Sequence, residues 1–280
     1  MTAPVGDRDT VPGAAIGTLL RTTDEGVTIT RRREQSFETD RCAVLYPAIA
    51  EAAHRVGAVA VGLVDVGCSP GLDLHIDRVG LTYGNGQVLG DPSSPVQLSA
   101  AVRGNGRLPT WAVPDVVTRI GIGRDPVDVT DADDVRRLRA CLAPDEVERA
   151  ARLDVELALA ATAPPLLLRG DPVELLPEAV ARVPADALPV VTTTWALSQV
   201  PLEQRLRFLH RLDDAAAGRP VAWVSAEGVG VAPAVPTLGD RHASGHSIIG
   251  LALVEQSTLR TEAVGRCWSR GRLLSWLADP

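Results

Sequence analysis

The sequence predicts an α/β fold of the doubly wound kind, a mostly parallel sheet of seven main strands with helices on both faces. Three observations predict it. Short apolar runs alternate with segments of helical periodicity along most of the chain. The runs are rich in β-branched residues and nearly free of polar side chains, as strands buried on both faces require. The first of them, Val59 to Val66, passes from an acidic residue straight into the glycine turn Gly67-Cys68-Ser69-Pro70-Gly71, and small residues there let a ligand approach the backbone.

Taken in order, residues 1–35 read as an arm or lid. They are rich in Gly, Thr, Pro and Asp and end near Arg31-Arg32-Arg33. The domain proper is expected over residues 36–280. From Ser36 or Thr39 a helix carries Cys42, Leu45, Ile49, Ala52, Ala53 and Val56 on one side, and Gly57 is its stop signal. Arg41 lies in its first turn, where it is either solvated or paired with a ligand carboxylate. After the first strand and its turn, Ser69 and Pro70 suit an N-cap and first helical position. Residues 81–103 read as a β insertion, with Asn85-Gly86 as a hairpin signal and Asp91-Pro92 as a second turn. Val116 to Ile122 is the second main strand. Asp128 to Ala161 is helical in two pieces broken by Pro144, Leu166 to Leu168 is the third strand, and Leu188 to Trp195 the fourth. A helix from Leu202 to Ala217 leads to the fifth strand, Val221 to Ser225. Ile248 to Val254 and Glu262 to Trp268, with no long helix between them, read as an antiparallel hairpin closing the sheet edge.

Composition narrows the function. A net charge of -7 and a pI near 5.3 argue against non-specific nucleic-acid or anionic-membrane binding, both of which need positive charge. No apolar run is long enough to span a bilayer, and the start, MTAPVGDRDT, lacks a basic segment followed by a hydrophobic one. A cytoplasmic protein is expected. The chain contains no lysine, which excludes a P-loop, a pyridoxal phosphate Schiff base and a lysine base. The cysteines Cys42, Cys68, Cys141 and Cys267 form no CxxC pair, so buried thiols are expected and no metal centre.

The candidate ligand site is read from strand ends. Asp65 stands two residues before the first glycine, and the spaced small residues are Gly67, Ser69 and Gly71, with Cys68 between. A dinucleotide fingerprint instead has its acid ~20 residues later. Asp125, after the second strand, suits ribose hydroxyls and equally a turn cap before Pro126. Asp171, in the Gly170-Asp171 pair after the third strand, is a ligand candidate or else an N-cap before Pro172. Thr193, Thr194 and Trp195 end the fourth strand, where ligands sit beside a topological switch point. The turn from Asp65 to Gly71 resembles motif I of the class I S-adenosylmethionine-dependent methyltransferases, with Ser69 in place of the middle glycine. More narrowly the chain resembles an actinobacterial family of unknown function with this fold, through VDVGCSPGLDLHIDR (64–78), GDPSSPVQL (90–98), DPVDVTDADDVRRLRACLAPDE (125–146), ERAARLD (148–154) and VSAEG (224–228). Two departures stand out: a short N-terminal arm where the family resembled carries a longer helical region, and the absence of its acid at or near Gly123 and of its tryptophans near Arg137 and Ala143.

The resemblance implies a Rossmann-like methyltransferase fold with S-adenosyl-L-methionine as cofactor. Asp65, Gly67, Cys68, Ser69 and Gly71 would support the methionine portion, Asp125 the ribose, Asp171 the adenine, and Thr193 the acceptor side. Methyl transfer from a sulfonium is an in-line displacement, so alignment in a dry site is the protein's main task. His242 and His246, in GDRHASGHS (239–247), are the candidate bases for a hydroxyl acceptor. His75 follows the turn closely enough to be of interest. The expected function is methylation of a small-molecule acceptor, by a monomer or a homodimer. The rival is a protein of the same fold that does not methylate, a cyclase-like catalyst or a partner subunit. A nicotinamide-dependent oxidoreductase is disfavoured by the position of Asp65.

Overall fold

The computed structural model describes residues 41–68 and 70–278. The expected arm over residues 1–35, its arginine run and Ser69 lie outside the described residues. The fold is α/β with a mixed sheet. Helix α1 (Cys42–Arg55) precedes β1 (Ala60–Val66), a 3-10 segment (Leu72–Arg78) and the inserted strands β2 (Gly80–Tyr83), β3 (Val88–Gly90) and β4 (Gln97–Val102). Then come β5 (Asp115–Gly123), α2 (Ala132–Arg139), α3 (Val147–Ala161), β6 (Leu166–Arg169), α4 (Leu176–Ala181), β7 (Leu188–Thr194), α5 (Leu202–Ala215) and β8 (Val221–Gly228). The chain closes with β9 (Ser247–Glu255), β10 (Thr258–Trp268) and β11 (Leu273–Trp276).

Among the described residues eleven strands form one sheet, in the order β3-β2-β4-β11-β10-β9-β8-β7-β1-β5-β6. The segment from β6 to β8 is parallel throughout. This corrects the expected seven-stranded layout in two ways. The insertion is three strands, and β4 pairs in parallel with β11 at Leu273 and Leu274, so the insertion extends the main sheet. The hairpin β9–β10 therefore lies inside the sheet, antiparallel to β8 on one side and to β11 on the other. Its two-residue turn has both central residues at positive φ, Gln256 at 48° and Ser257 at 60°, the backbone that a tightly twisted hairpin demands.

Two apolar layers cover the sheet. One holds α1 with Leu63, Val190, Val224, Ile249 and Trp276. The other holds α4 and α5 with Val64, Val191, Trp223 and Phe208. Helix α1 is buried from Cys42 to Ala53, consistent with its nearly continuous apolar sequence. Pro47 lies inside it and supplies no amide to the carbonyl of Ala43 four residues earlier. The Tyr83 hydroxyl donates to that carbonyl at 2.8 Å. A defect in the helix thereby becomes the anchor of β2. At the other end of α1, Glu51 accepts from Arg55 at 2.7 Å and from the Trp111 indole at 3.0 Å, and His54 stacks on Trp111 with ring centroids 3.7 Å apart.

Candidate functional site

The chain runs outward from β1 to β5 and β6, then returns to the other side of β1 for β7 and β8. The strand order reverses between β1 and β7. A ligand crevice in such a sheet lies outside the carboxyl ends of the strands at this point. Alternation along β1 and β7 decides what faces it on the α1 side: Asp65 beyond Leu63, and Thr192 and Thr194 beyond Val190.

Asp65 is 8% exposed, and its Oδ1 accepts the Thr192 hydroxyl at 2.9 Å. Burial lifts its carboxyl above the ordinary range, against the Thr192 hydrogen bond, the Arg41 charge and the Cys68 thiol. Arg41, next to the start of α1, lies with its guanidinium 5.2 Å from the Trp195 ring centroid and 3.7 Å from the Asp73 carboxylate. A planar cation over an indole face is an attractive pair in a poorly solvated place. The Cys42 thiol donates to Asp73 at 3.6 Å. Burial, and then nearby carboxylates, raise the Cys68 and Cys42 thiols well above their usual value. Neither is a thiolate nucleophile near neutral pH. The Thr194 Oγ1 is buried and has no hydrogen-bond partner among the described residues, a polar group that calls for one.

The glycine turn is built differently from the expectation. Gly67 has φ +83° and a Cβ there would fall 2.9 Å from the Ala196 Cβ, so only glycine allows the turns after β1 and β7 to meet. The amides of Gly67 and Cys68, however, both donate to the Ile122 carbonyl at 2.9 Å. They are committed to β5 and are not offered to a ligand. No α-helix follows. Gly71 adopts φ +65° and the chain enters a 3-10 segment with a kink at His75. His75 is 2% exposed, with Nε2 3.0 Å from the Ala163 carbonyl and Nδ1 3.3 Å from that of Gly71. It is a fastener between the segment and the end of α3.

The remaining expected residues are dispersed. Asp125 pairs with Arg169 at 2.5 Å on the surface. Asp171 caps the turn that enters α4, accepting from Val173 at 3.0 Å and Glu174 at 3.3 Å, with Arg124 at 2.9 Å on its other oxygen. Partial burial opposes its charge, but the Arg124 hydrogen bond and the two amides hold its carboxyl below the usual range. Thr193 does not reach the crevice: it is 0% exposed and its hydroxyl accepts the Trp223 indole at 3.0 Å beneath the sheet. His242 is exposed, its ring against Gly230. His246 has Nε2 2.8 Å from Asp240, which Arg266 also holds at 2.6 Å, and its ring lies 5.4 Å from that of Trp268. These contacts anchor the connection between β8 and β9. Asp171→Ala is expected to lower stability by about 1 kcal/mol, the usual net contribution of a lost side-chain hydrogen bond, and to leave ligand affinity unchanged. Denaturant unfolding and calorimetry check the two halves separately.

The sequence reading missed Thr192, Asp73 and, above all, Glu227. Glu227 is a carboxylate in an otherwise apolar strand end, VSAEG, and that contrast was the available signal. Fold and site together define an α/β protein with a mixed sheet and a buried carboxylate, Asp65, where the strand order reverses. Residues 3–276 match a family described as uncharacterized protein conserved in bacteria (DUF2332), and the chain belongs to that family. No curated protein and no solved structure matches it. Among the described residues no helix is long and apolar enough to cross a membrane.

Proposed function

We propose that the crevice between β1 and β7 binds S-adenosylmethionine and that the protein methylates a small-molecule acceptor. The observation that carries this reading is the buried Asp65 at the switch point, two residues before Gly67, where a Cβ would meet that of Ala196 at 2.9 Å. The residues fit the methionine end of such a ligand. Asp65, which already receives the Thr192 hydroxyl and the Cys68 thiol, would meet an ammonium or hydroxyl donor, and the Thr194 Oγ1, without a partner among the described residues, offers a further contact. When bound, the sulfonium supplies an activated methyl group. Trp195 and Arg41 cover the crevice and exclude water, and the acceptor's orientation would be set on the Trp195 side.

A second reading, a member of the fold that binds at this place without methylating, draws on the β5 end. There the Cys68 carbonyl occupies the space a Gly123 side chain would need, and the resemblance expects an acid at or near that position. Asp125 and Asp171, both engaged in pairs or caps, leave the ribose and adenine ends unassigned. Calorimetry with S-adenosylmethionine and S-adenosylhomocysteine separates the readings. Micromolar binding is expected, weakened roughly tenfold or more in Asp65→Ala, since a hydrogen bond to a charged group contributes about 1.5–3 kcal/mol. Absence of heat with both ligands removes the methyltransferase reading, and binding without turnover on any acceptor supports the second.

A further inference from the structure

The connection after β7 is held more firmly than a surface turn requires. Glu227, in β8, is 0% exposed. Its Oε1 accepts the amides of Ala196 at 3.0 Å and Leu197 at 2.9 Å, and the Ser198 amide points to the same carboxylate. Its Oε2 is buried and has no hydrogen-bond partner among the described residues. The three amides follow directly on Trp195, whose φ is +54°. A bulky residue in that region is strained and persists only where its surroundings over-determine it.

What the strained residue positions is the wall of the crevice. The Trp195 amide donates to the Ala226 carbonyl at 3.0 Å, its indole Nε1 donates to Ser247 at 2.8 Å, and Arg41 lies over its face. Ala196, the next residue, is the one that Gly67 must clear. One buried carboxylate thus gathers the start of the turn, and the turn decides where both Trp195 and the neighbour of the glycine turn stand. Among the described residues Arg205 is the charged group that faces Glu227 from α5, and its Nε is itself donated to the Val200 carbonyl at 2.9 Å.

We propose that Glu227 is the positioning residue of the crevice, holding Trp195 in its left-handed conformation through the amides of residues 196–198 and so shaping the acceptor side. The inference rests on the reading of this crevice as the ligand site, but its structural core is testable without a ligand. Glu227→Ala, Glu227→Gln and Trp195→Phe are compared with the wild-type chain by NMR of the tryptophan indole protons and by acrylamide quenching, the Trp195 signals being those absent in Trp195→Phe. Glu227→Ala is expected to lose the dispersed Trp195 indole resonance and to raise its quenching several-fold. Glu227→Gln keeps a carbonyl acceptor and is expected to retain both signatures. S-adenosylhomocysteine affinity should fall roughly tenfold in the alanine variant and little in the glutamine one. A Trp195 resonance unchanged in Glu227→Ala overturns the proposal, as does one lost equally in both variants. Should wild-type protein bind no S-adenosylhomocysteine while the Trp195 signature still follows Glu227, the positioning role stands and the cofactor reading fails.

Discussion

Gly123→Ala is expected to destabilise the protein by about 3 kcal/mol, at the upper end of what overpacking costs, and Gly123→Asp by at least as much. A Cβ at this position would fall 2.5 Å from the Cys68 carbonyl oxygen. That oxygen cannot retreat easily, because the amides of Gly67 and Cys68 are both bonded to the carbonyl of Ile122, the residue next to Gly123. Strand end and turn are locked together, and the clash is between backbone and side chain. Gly121 is the control. Its Cβ would meet the Cys68 Sγ at 2.6 Å, a side-chain atom, so Cys68→Ala should recover part of the loss in Gly121→Ala and none of that in Gly123→Ala. Urea unfolding of the two double-mutant cycles measures this. Equal recovery at both glycines would mean that the turn moves freely. A stable Gly123→Asp protein would mean that the Cys68 carbonyl can retreat after all.

The same locked turn explains which parts of the molecule were legible in the sequence. Strands β1, β5, β6, β7 and β8 were readable because each is a short apolar run bounded by turn residues, and such runs are dictated locally. The pairing of β4 with β11 joins residues 101–102 to 273–274, and no local pattern encodes a partner that distant. Face assignment failed at Thr193 for a similar reason. Three threonines in a row, Thr192 to Thr194, carry no alternation of their own, so which of them meets Asp65 is decided by registry with Val190 and Val191 in the two apolar layers. The turn amides looked available because the sequence shows donors and not their acceptors, and Ile122 lies more than fifty positions away from Gly67. Glu227 was visible as an acid among apolar neighbours, but its role depends on a turn contributed by another strand.

Relative to its own value at pH 4.5, Glu227→Gln is expected to gain about 3 kcal/mol of stability on the wild-type protein by pH 8. Burial pushes the Glu227 carboxyl up to about 7, against the amides of Leu197, Ser198 and Ala196 and the Arg205 charge, from an ordinary 4.5. The unfolded chain therefore releases this proton near pH 4.5 while the folded chain keeps it to about pH 7. Between those values the unfolded state binds fewer protons, so the stability that Glu227 contributes is fully present below pH 4.5 and is lost as pH rises to 7. Glutamine keeps the carbonyl that receives the amides and has no proton to release, so its stability lacks this decline. The wild-type curve alone would not isolate the effect. Asp65, raised by burial, declines with pH in the same direction, whereas His75, lowered by burial, is held neutral in the fold and destabilises it as pH falls below the ordinary histidine range. Both groups are common to the two proteins and cancel in the difference, provided neither touches Glu227. Denaturant unfolding at intervals from pH 4.5 to 8 gives that difference directly. A difference independent of pH would show that Glu227 is ionised throughout, and the three amides would then outweigh the burial of its partnerless oxygen.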